Sequence, residues 1–324
     1  MSEKIDTKNH PAVKALIAHQ ERLGDSDAAF ARRYLRVSSA SWSLLRSGTY
    51  GAKDPSSMLD RCESAVQLLN DQAEKAGSDA GRGKIIDLPH VRAAVSAVRG
   101  CLNEDQNRLV VYLAPSGGGK SALTRKLREV YLAAAVVVEA TESWRKSYFN
   151  SLAAVAEALG LEKAGHPRAL ETIIVDYLSN TSRILCIDEG HYCGPESLNM
   201  LKMLLNKTGT RVVLCAIPQL WRRMEEAAYE EVLQLRRRTA AKIIVNEVSR
   251  SDARAFLHAR VPDFTSIGDA EKEAVALVCT AANRFGLYDT LKRICIEMHE
   301  EADGHSISLD VVKAAISRVE ALRS

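Results

Sequence analysis

The chain has 324 residues, 46% of them hydrophobic and 26% charged, with a formal net charge of +3. That is enough apolar material for a central domain of ordinary size with smaller ones beside it. The charge bias is too weak to mark a nucleic-acid binder by itself, although local clusters could still meet phosphates. No apolar run approaches the ~18 residues of a membrane span, and MSEKIDTKNHPAVK lacks the apolar core of a signal peptide. The expectation is a cytoplasmic protein with no membrane partner. Cys62, Cys101, Cys186, Cys193, Cys215, Cys279 and Cys295 form no CxxC pair, and no His stands at zinc-finger spacing. The composition therefore argues against a disulfide framework or a zinc site and predicts buried thiols.

Residues 1–75 read as a domain of short helices. Within residues 13–50 the pattern is helix, helix, tight turn, helix. Asp25 or Ser26 is placed to cap the second helix, and Ser38 or Ser39 the third. The third helix, about 39–47, buries Trp42 and Leu45 and presents Ser38, Ser41, Ser43 and Arg46, the layout of a helix-turn-helix reader. Arg32, Arg33, Arg36 and Arg46 tilt that layout toward a DNA backbone. The expected DNA contacts here are Arg32, Arg33, Ser38, Ser41 and Arg46. A small helical protein-interaction domain would pack in the same way and stays open. Residues 76–84, AGSDAGRGK, are small, polar and Gly-rich, as in a linker.

From 85 to 248 apolar runs alternate with amphipathic helices, the signature of βαβ units around a parallel sheet. Strands are predicted over 109–113, 135–139, 184–187, 212–216 and 243–245. Each is close to continuously apolar, as strands covered on both faces are. Residues 249–324 turn helical again, with Ser251 and Ser308 as N-cap candidates and no further strand.

The segment LVVYLAPSGGGKSALTRKL sets a strand, a small-residue loop and a helix in the order a phosphate-binding loop requires. Pro115, Ser116, Gly117, Gly118, Gly119, Lys120, Ser121 and Ala122 would then form the ATP site. Backbone N–H groups would wrap the β-phosphate, Lys120 would reach the β- and γ-phosphates, and Ser121 would ligate Mg2+. Ala114 stands where the usual motif has its first glycine. Downstream, RILCIDEGHYCG ends an apolar strand in Asp188, a magnesium ligand, and Glu189, a base for the attacking water. The bland alternatives are a Gly-rich turn and a charged surface turn, and the order of the two motifs weighs against both. Hydrolysis also calls for a cation at the γ-phosphate, for which Arg236, Arg237 and Arg238 are the candidates, taken as a group. Any one of the three could equally be a solvated basic helix end.

A helix-turn-helix segment, FARRYLRVSSASWSLLRSGTY, a Gly-rich linker, the APSGGGKS loop, ILCIDEGHYCG and a helical lid, in that order, resemble the phage Mu B-type family of ATP-dependent target-DNA selectors of transposition. The resemblance covers most of the chain, but its two ATPase motifs are shared by many families, so it rests on domain order and on the N-terminal segment. It implies an α/β fold, with an AAA+ P-loop core built on a parallel sheet, an N-terminal helix-turn-helix domain and a C-terminal helical lid. It further implies ATP-bound filaments or oligomers on double-stranded DNA, a transposase partner, and release of DNA on hydrolysis. By the same resemblance Lys120 and Ser121 serve phosphate and magnesium, Asp188 magnesium, Glu189 water activation, and one of Arg236 to Arg238 the finger. It also places the loop after the second strand on DNA, which adds Arg145 and Lys146 as contacts, although Trp144 beside them suits a core position as well. Lys202, Lys207, Arg211, Arg222 and Arg223 are further, unranked candidates. Two positions depart from the pattern: Ile217 replaces a polar sensor, and Asp289 stands where a lid arginine is usual, with Lys292 or Arg293 as substitutes. Slow or partner-dependent hydrolysis is the expected consequence. A helicase loader or remodelling ATPase, and an operator-specific regulator, are the competing functions.

Overall fold

A computed structural model describes residues 7–322 apart from 24, 52–54, 79–84, 102–106, 163, 228–229, 262–263 and 303–304. The N-terminal part comprises α1 (Pro11–Leu23), α2 (Asp27–Phe30), which runs into a π-helical turn at Ala31–Leu35, α3 (Ser39–Ser47) and α4 (Ser56–Ser78). These helices close around Val13, Leu16, Phe30, Leu35, Trp42 and Leu45. Trp42 satisfies its indole N–H on Gln20 at 2.8 Å, so the largest side chain of α3 faces inward. Ser38 caps α3, accepting from the Ser41 amide at 3.2 Å. Helix α4 continues through Ser78, so residues 76–78 of the expected linker are helical and residues 79–84 of it lie outside the described residues.

The core follows as α5 (Pro89–Gly100), β1 (Leu109–Leu113), α6 (Lys120–Tyr131), β2 (Ala135–Glu139), α7 (Tyr148–Ala158), α8 (Pro167–Ser179) and β3 (Ile184–Asp188). It continues with α9 (Pro195–Lys207), β4 (Arg211–Ala216), α10 (Pro218–Glu226), α11 (Glu230–Arg237) and β5 (Thr239–Ile244). The five strands form one parallel sheet in the order β2-β3-β4-β1-β5. Side chains alternate across it. Leu109, Val111 and Leu113 of β1 pack with Leu185 and Ile187 of β3 on one face, whereas Val110, Tyr112 and Cys186 join the opposite layer. Burial on both faces explains the unbroken apolar runs of these strands. Strand β5 is different: it lies at the sheet edge, begins four residues before the predicted Ile243, and alternates half-buried with exposed positions. Its first half, Thr239–Lys242, carries little apolar signal because one face is open to water.

The C-terminal helices are α12 (Arg250–Arg260), α13 (Glu271–Phe285), α14 (Leu287–Ala302) and α15 (Leu309–Ala321). Ser308 caps α15 as expected, but Ser249 rather than Ser251 caps α12. Their apolar interior is continuous with the layer under α5, through Val248, Phe256, Leu291 and Ile294.

The N-terminal helices are tied to the base of the sheet. Asp25 pairs with Thr181 in an isolated β-bridge and makes a 3.0 Å ion pair with Arg183, with side chains 0% and 1% exposed. Arg183 also donates to the Tyr177 hydroxyl through Nε at 3.0 Å. No helix among the described residues is long and apolar enough to cross a membrane.

Candidate nucleotide-binding site

The phosphate loop joins the end of β1 to the start of α6. The backbone reverses at Gly117 (φ 75°) and Gly119 (φ 88°), a region glycine enters without steric cost. Gly118 has a separate reason: a Cβ there would stand 2.6 Å from the Ala114 methyl. Ala114 thus takes the place of the missing first glycine as the floor of the loop, and its amide extends the pairing to Ala216 at 2.9 Å. Tyr112 braces the loop from below, donating its buried hydroxyl to the Gly118 carbonyl at 3.1 Å.

Lys120, the first residue of α6, is 8% exposed. Its ammonium donates to the Ala114 and Pro115 carbonyls, both at 3.3 Å. Two long bonds to neutral carbonyls leave a buried cation poorly compensated, and a phosphate at a helix N-terminus would complete it. Ser121, one residue on, is exposed. Among the described residues no group of three His, Cys, Asp or Glu side chains is placed to hold a metal alone. A magnesium ion here would share Ser121, Asp188 and the oxygens of the nucleotide it accompanies.

Asp188 ends β3, one strand removed from β1, because β4 lies between them. Its Oδ1 accepts the Glu189 amide at 2.8 Å. Glu189 itself is left-handed, φ 49° and ψ 34°, a conformation costing a residue with a side chain about 1 kcal/mol or more. Gly190 permits the turn, since a Cβ there would come within 2.5 Å of Leu214. Both acids are half-buried. Burial pushes the neighbouring Cys186 thiol up to about 12, which keeps it unreactive.

The lid meets the loop at the α13–α14 junction. The Asp289 amide donates to the Gly117 carbonyl at 3.3 Å, and a Cβ on Gly117 would strike the Gly286 carbonyl at 2.2 Å. Tyr288, the residue between them and the next in α14, donates to Asp252 at 3.1 Å and lies 3.3 Å from His90 Nδ1. Desolvation lowers the pKa of His90, so this half-buried imidazole tends to the neutral form. Lys292 and Arg293 are exposed on α14. Ile217 follows β4 directly and is the N-cap of α10.

Residues 103–224 match the family model described as an AAA domain. The core is an AAA-type ATPase domain. In fold the chain is similar to Cdc6p from Pyrobaculum aerophilum, with a TM-score of 0.53 and 13% identity over 73% of this chain and 69% of that one. It is also similar to Drosophila ORC bound to DNA, at 0.50 and 15% over 72% and 60%. The third is the Aeropyrum pernix ORC1 protein in complex with DNA, at 0.50 and 16% over 71% and 64%. At such identities the likeness is one of fold, and the chain spans between 60% and 69% of the length of these three. No curated protein matches the chain.

Around the AAA domain the three finger candidates separate. Arg237 is exposed at the end of α11, while Arg236 and Arg238 are half-buried. The Arg236 guanidinium lies over the Trp221 ring at 5.7 Å. The expected DNA contacts also divide. Arg145 and Lys146 are exposed beside buried Trp144. Arg32 is exposed, but Arg33 donates to the Tyr177 hydroxyl of the core and Arg46 pairs with Asp27, so two of the N-terminal cations are already engaged. Ser38 and Ser41 bond each other in the α3 cap at 2.9 Å. Of the unranked candidates, Arg211 is 6% exposed, Lys207 pairs with Glu171 at 2.6 Å, and Arg223 donates to the His191 carbonyl at 2.6 Å. Sequence reasoning passed over His90, Tyr112, Tyr288 and His191, because nothing local marks an aromatic or imidazole side chain as the brace of a loop distant in sequence.

Proposed function

We propose that the chain uses ATP and Mg2+ to control a largely sequence-nonspecific grip on double-stranded DNA, and that it serves transposition by offering target DNA to a transposase. Its organisation is an N-terminal DNA-binding domain over 1–75, an ATPase core over 85–248 and a helical lid over 249–324. One observation carries the coupling of nucleotide to DNA. The Arg145 guanidinium, in the loop after β2, lies over the ring of Tyr192 at 5.8 Å, and Tyr192 belongs to the turn that begins with Glu189. A phosphate drawn to Arg145 and Lys146 would therefore press on the segment that carries the catalytic acid. That two fold neighbours are described as bound to or in complex with DNA supports the reading.

In this mechanism the loop N–H groups and Lys120 bind the triphosphate, and Ser121 with Asp188 holds the magnesium, which neutralises charge on the β- and γ-phosphates. Glu189 takes the proton of the attacking water. Arg237, the exposed member of its group, reaches the γ-phosphate of a neighbouring subunit in an ATP-dependent oligomer. Hydrolysis is slow alone and faster with a partner. The test is duplex binding by the Glu189→Gln variant. It should keep ATP, hydrolyse it on the order of 100-fold more slowly or less, and hold DNA longer than the parent. Faster release of DNA by that variant, or parent binding indifferent to nucleotide, refutes the reading. A second reading, in which the N-terminal helices bind protein as in a helicase loader, draws support from the engagement of Arg33 and Arg46. A DNA grip that requires a helicase partner would select it.

A further inference from the structure

Glu189 is not free to aim where its backbone would send it. Its carbonyl accepts from the Tyr192 amide at 3.0 Å and its own amide is held by Asp188. From that fixed turn the carboxylate Oε2 comes to 3.1 Å from His191 Nδ1. The contact is within ion-pair distance but off the hydrogen-bond line, and Nδ1 is buried with no aligned partner among the described residues. The imidazole is itself confined. Its backbone carbonyl is tied to Arg223, and its ring packs on Tyr192 with centroids 4.3 Å apart. Tyr192 carries Arg145 on its ring, and the backbone of Arg145 is closed against Gly194, where a Cβ would meet the Arg145 carbonyl at 1.9 Å. A continuous stack thus runs from an exposed arginine to the candidate base.

A carboxylate engaged by an imidazole is a weaker acceptor for the proton of water, since the engaged oxygen is occupied and the anion partly neutralised. We propose that His191 is a positioning residue that holds Glu189 in a resting orientation, and that the Tyr192–Arg145 stack ties this hold to the loop offered to DNA. The trigger rests on the function proposed above; the hold does not. A DNA phosphate that draws the Arg145 guanidinium off Tyr192 loosens the ring pair, and Glu189 turns to the water. The water oxygen then bonds the γ-phosphorus as the bond from phosphorus to the bridging oxygen breaks. Its electron pair leaves on ADP and the proton passes to Glu189.

The experiment is steady-state ATP hydrolysis by the full chain, with and without a random-sequence duplex, for the parent, His191→Ala and His191→Gln. Releasing the hold should raise the DNA-free kcat of His191→Ala by about three- to tenfold, leave KM within twofold, and shrink the stimulation by DNA. His191→Gln retains an N–H donor toward the carboxylate and should restore the low DNA-free rate. A DNA-free kcat that falls in both variants, or equals the parent's in both, overturns the hold. A raised DNA-free rate with undiminished stimulation overturns the stack as trigger. If the parent's hydrolysis ignores DNA, the proposed function fails, and the DNA-free kcat of His191→Ala still decides the hold.

Discussion

Lys120 in the phosphate loop and Arg33 in the N-terminal helices are both cations set among aromatic and backbone groups, and their surroundings treat them in opposite ways. Lys120 is buried with two carbonyls at 3.3 Å for company, so its charge remains to be met. Arg33 is met already, by the hydroxyl and the ring face of Tyr177, with its guanidinium 5.2 Å from the ring centroid. Counting basic residues in a segment therefore says little about its partner. What matters is which charges the fold leaves uncompensated, and the loop leaves one while the N-terminal helices settle at least two.

The sharpest way to break this comparison is at the base of the sheet. Asp25→Ala would strand Arg183, whose side chain is 1% exposed, and should cost about 3–5 kcal/mol in denaturant unfolding. Replacing both partners together, by Asp25→Leu with Arg183→Met, should recover most of that loss. Equal destabilisation by the single and double changes would mean that packing rather than charge ties the N-terminal helices to the core. Next in size, Lys120→Ala should weaken ATP on the order of a hundredfold, which is about 2.8 kcal/mol. Isothermal titration reads this directly, and ATP-dependent DNA binding should go with it; unchanged affinity would remove the loop from the site.

A finer contrast sets two adjacent arginines against each other. Arg33→Ala should lower stability by about 1 kcal/mol and leave the salt dependence of DNA binding alone, because its guanidinium serves Tyr177. Arg32→Ala should do the reverse, reducing the slope of log affinity against log salt by about 1. Finding the roles exchanged would mean that the N-terminal helices undock to bind. The smallest effect concerns pH. Lys207 hydrogen-bonds the Glu171 carboxylate and lowers its pKa below the ordinary value, with a further contribution from Tyr148. A lowered folded-state pKa stabilises above the unfolded value and is lost as pH falls through the folded one. Glu171→Gln should therefore flatten the acid limb of the stability curve between those values. Since Lys207 is half exposed, the effect at neutral pH should stay below about 1 kcal/mol.

Residue order alone determined the strand–loop–helix at 109–131 and the acid-tipped strand at 184–188. Central strands buried on two faces must be apolar throughout, and a loop that wraps phosphate must carry glycines where φ is positive, so both leave marks in consecutive residues. The same logic located the α3 helix and the Ser308 cap, each set by neighbours within four residues. It failed at β5, where an edge position relaxes the demand for apolar side chains, and at Ser249, where two serines in one turn compete for one cap. The tertiary structure alone decided how far-separated groups meet: Asp25 with Arg183, Gly117 with Gly286, Tyr112 under the loop, and His191 beside Glu189. These pairings depend on which elements the sheet order brings together, and side-chain burial is a property of that assembly rather than of any stretch of chain.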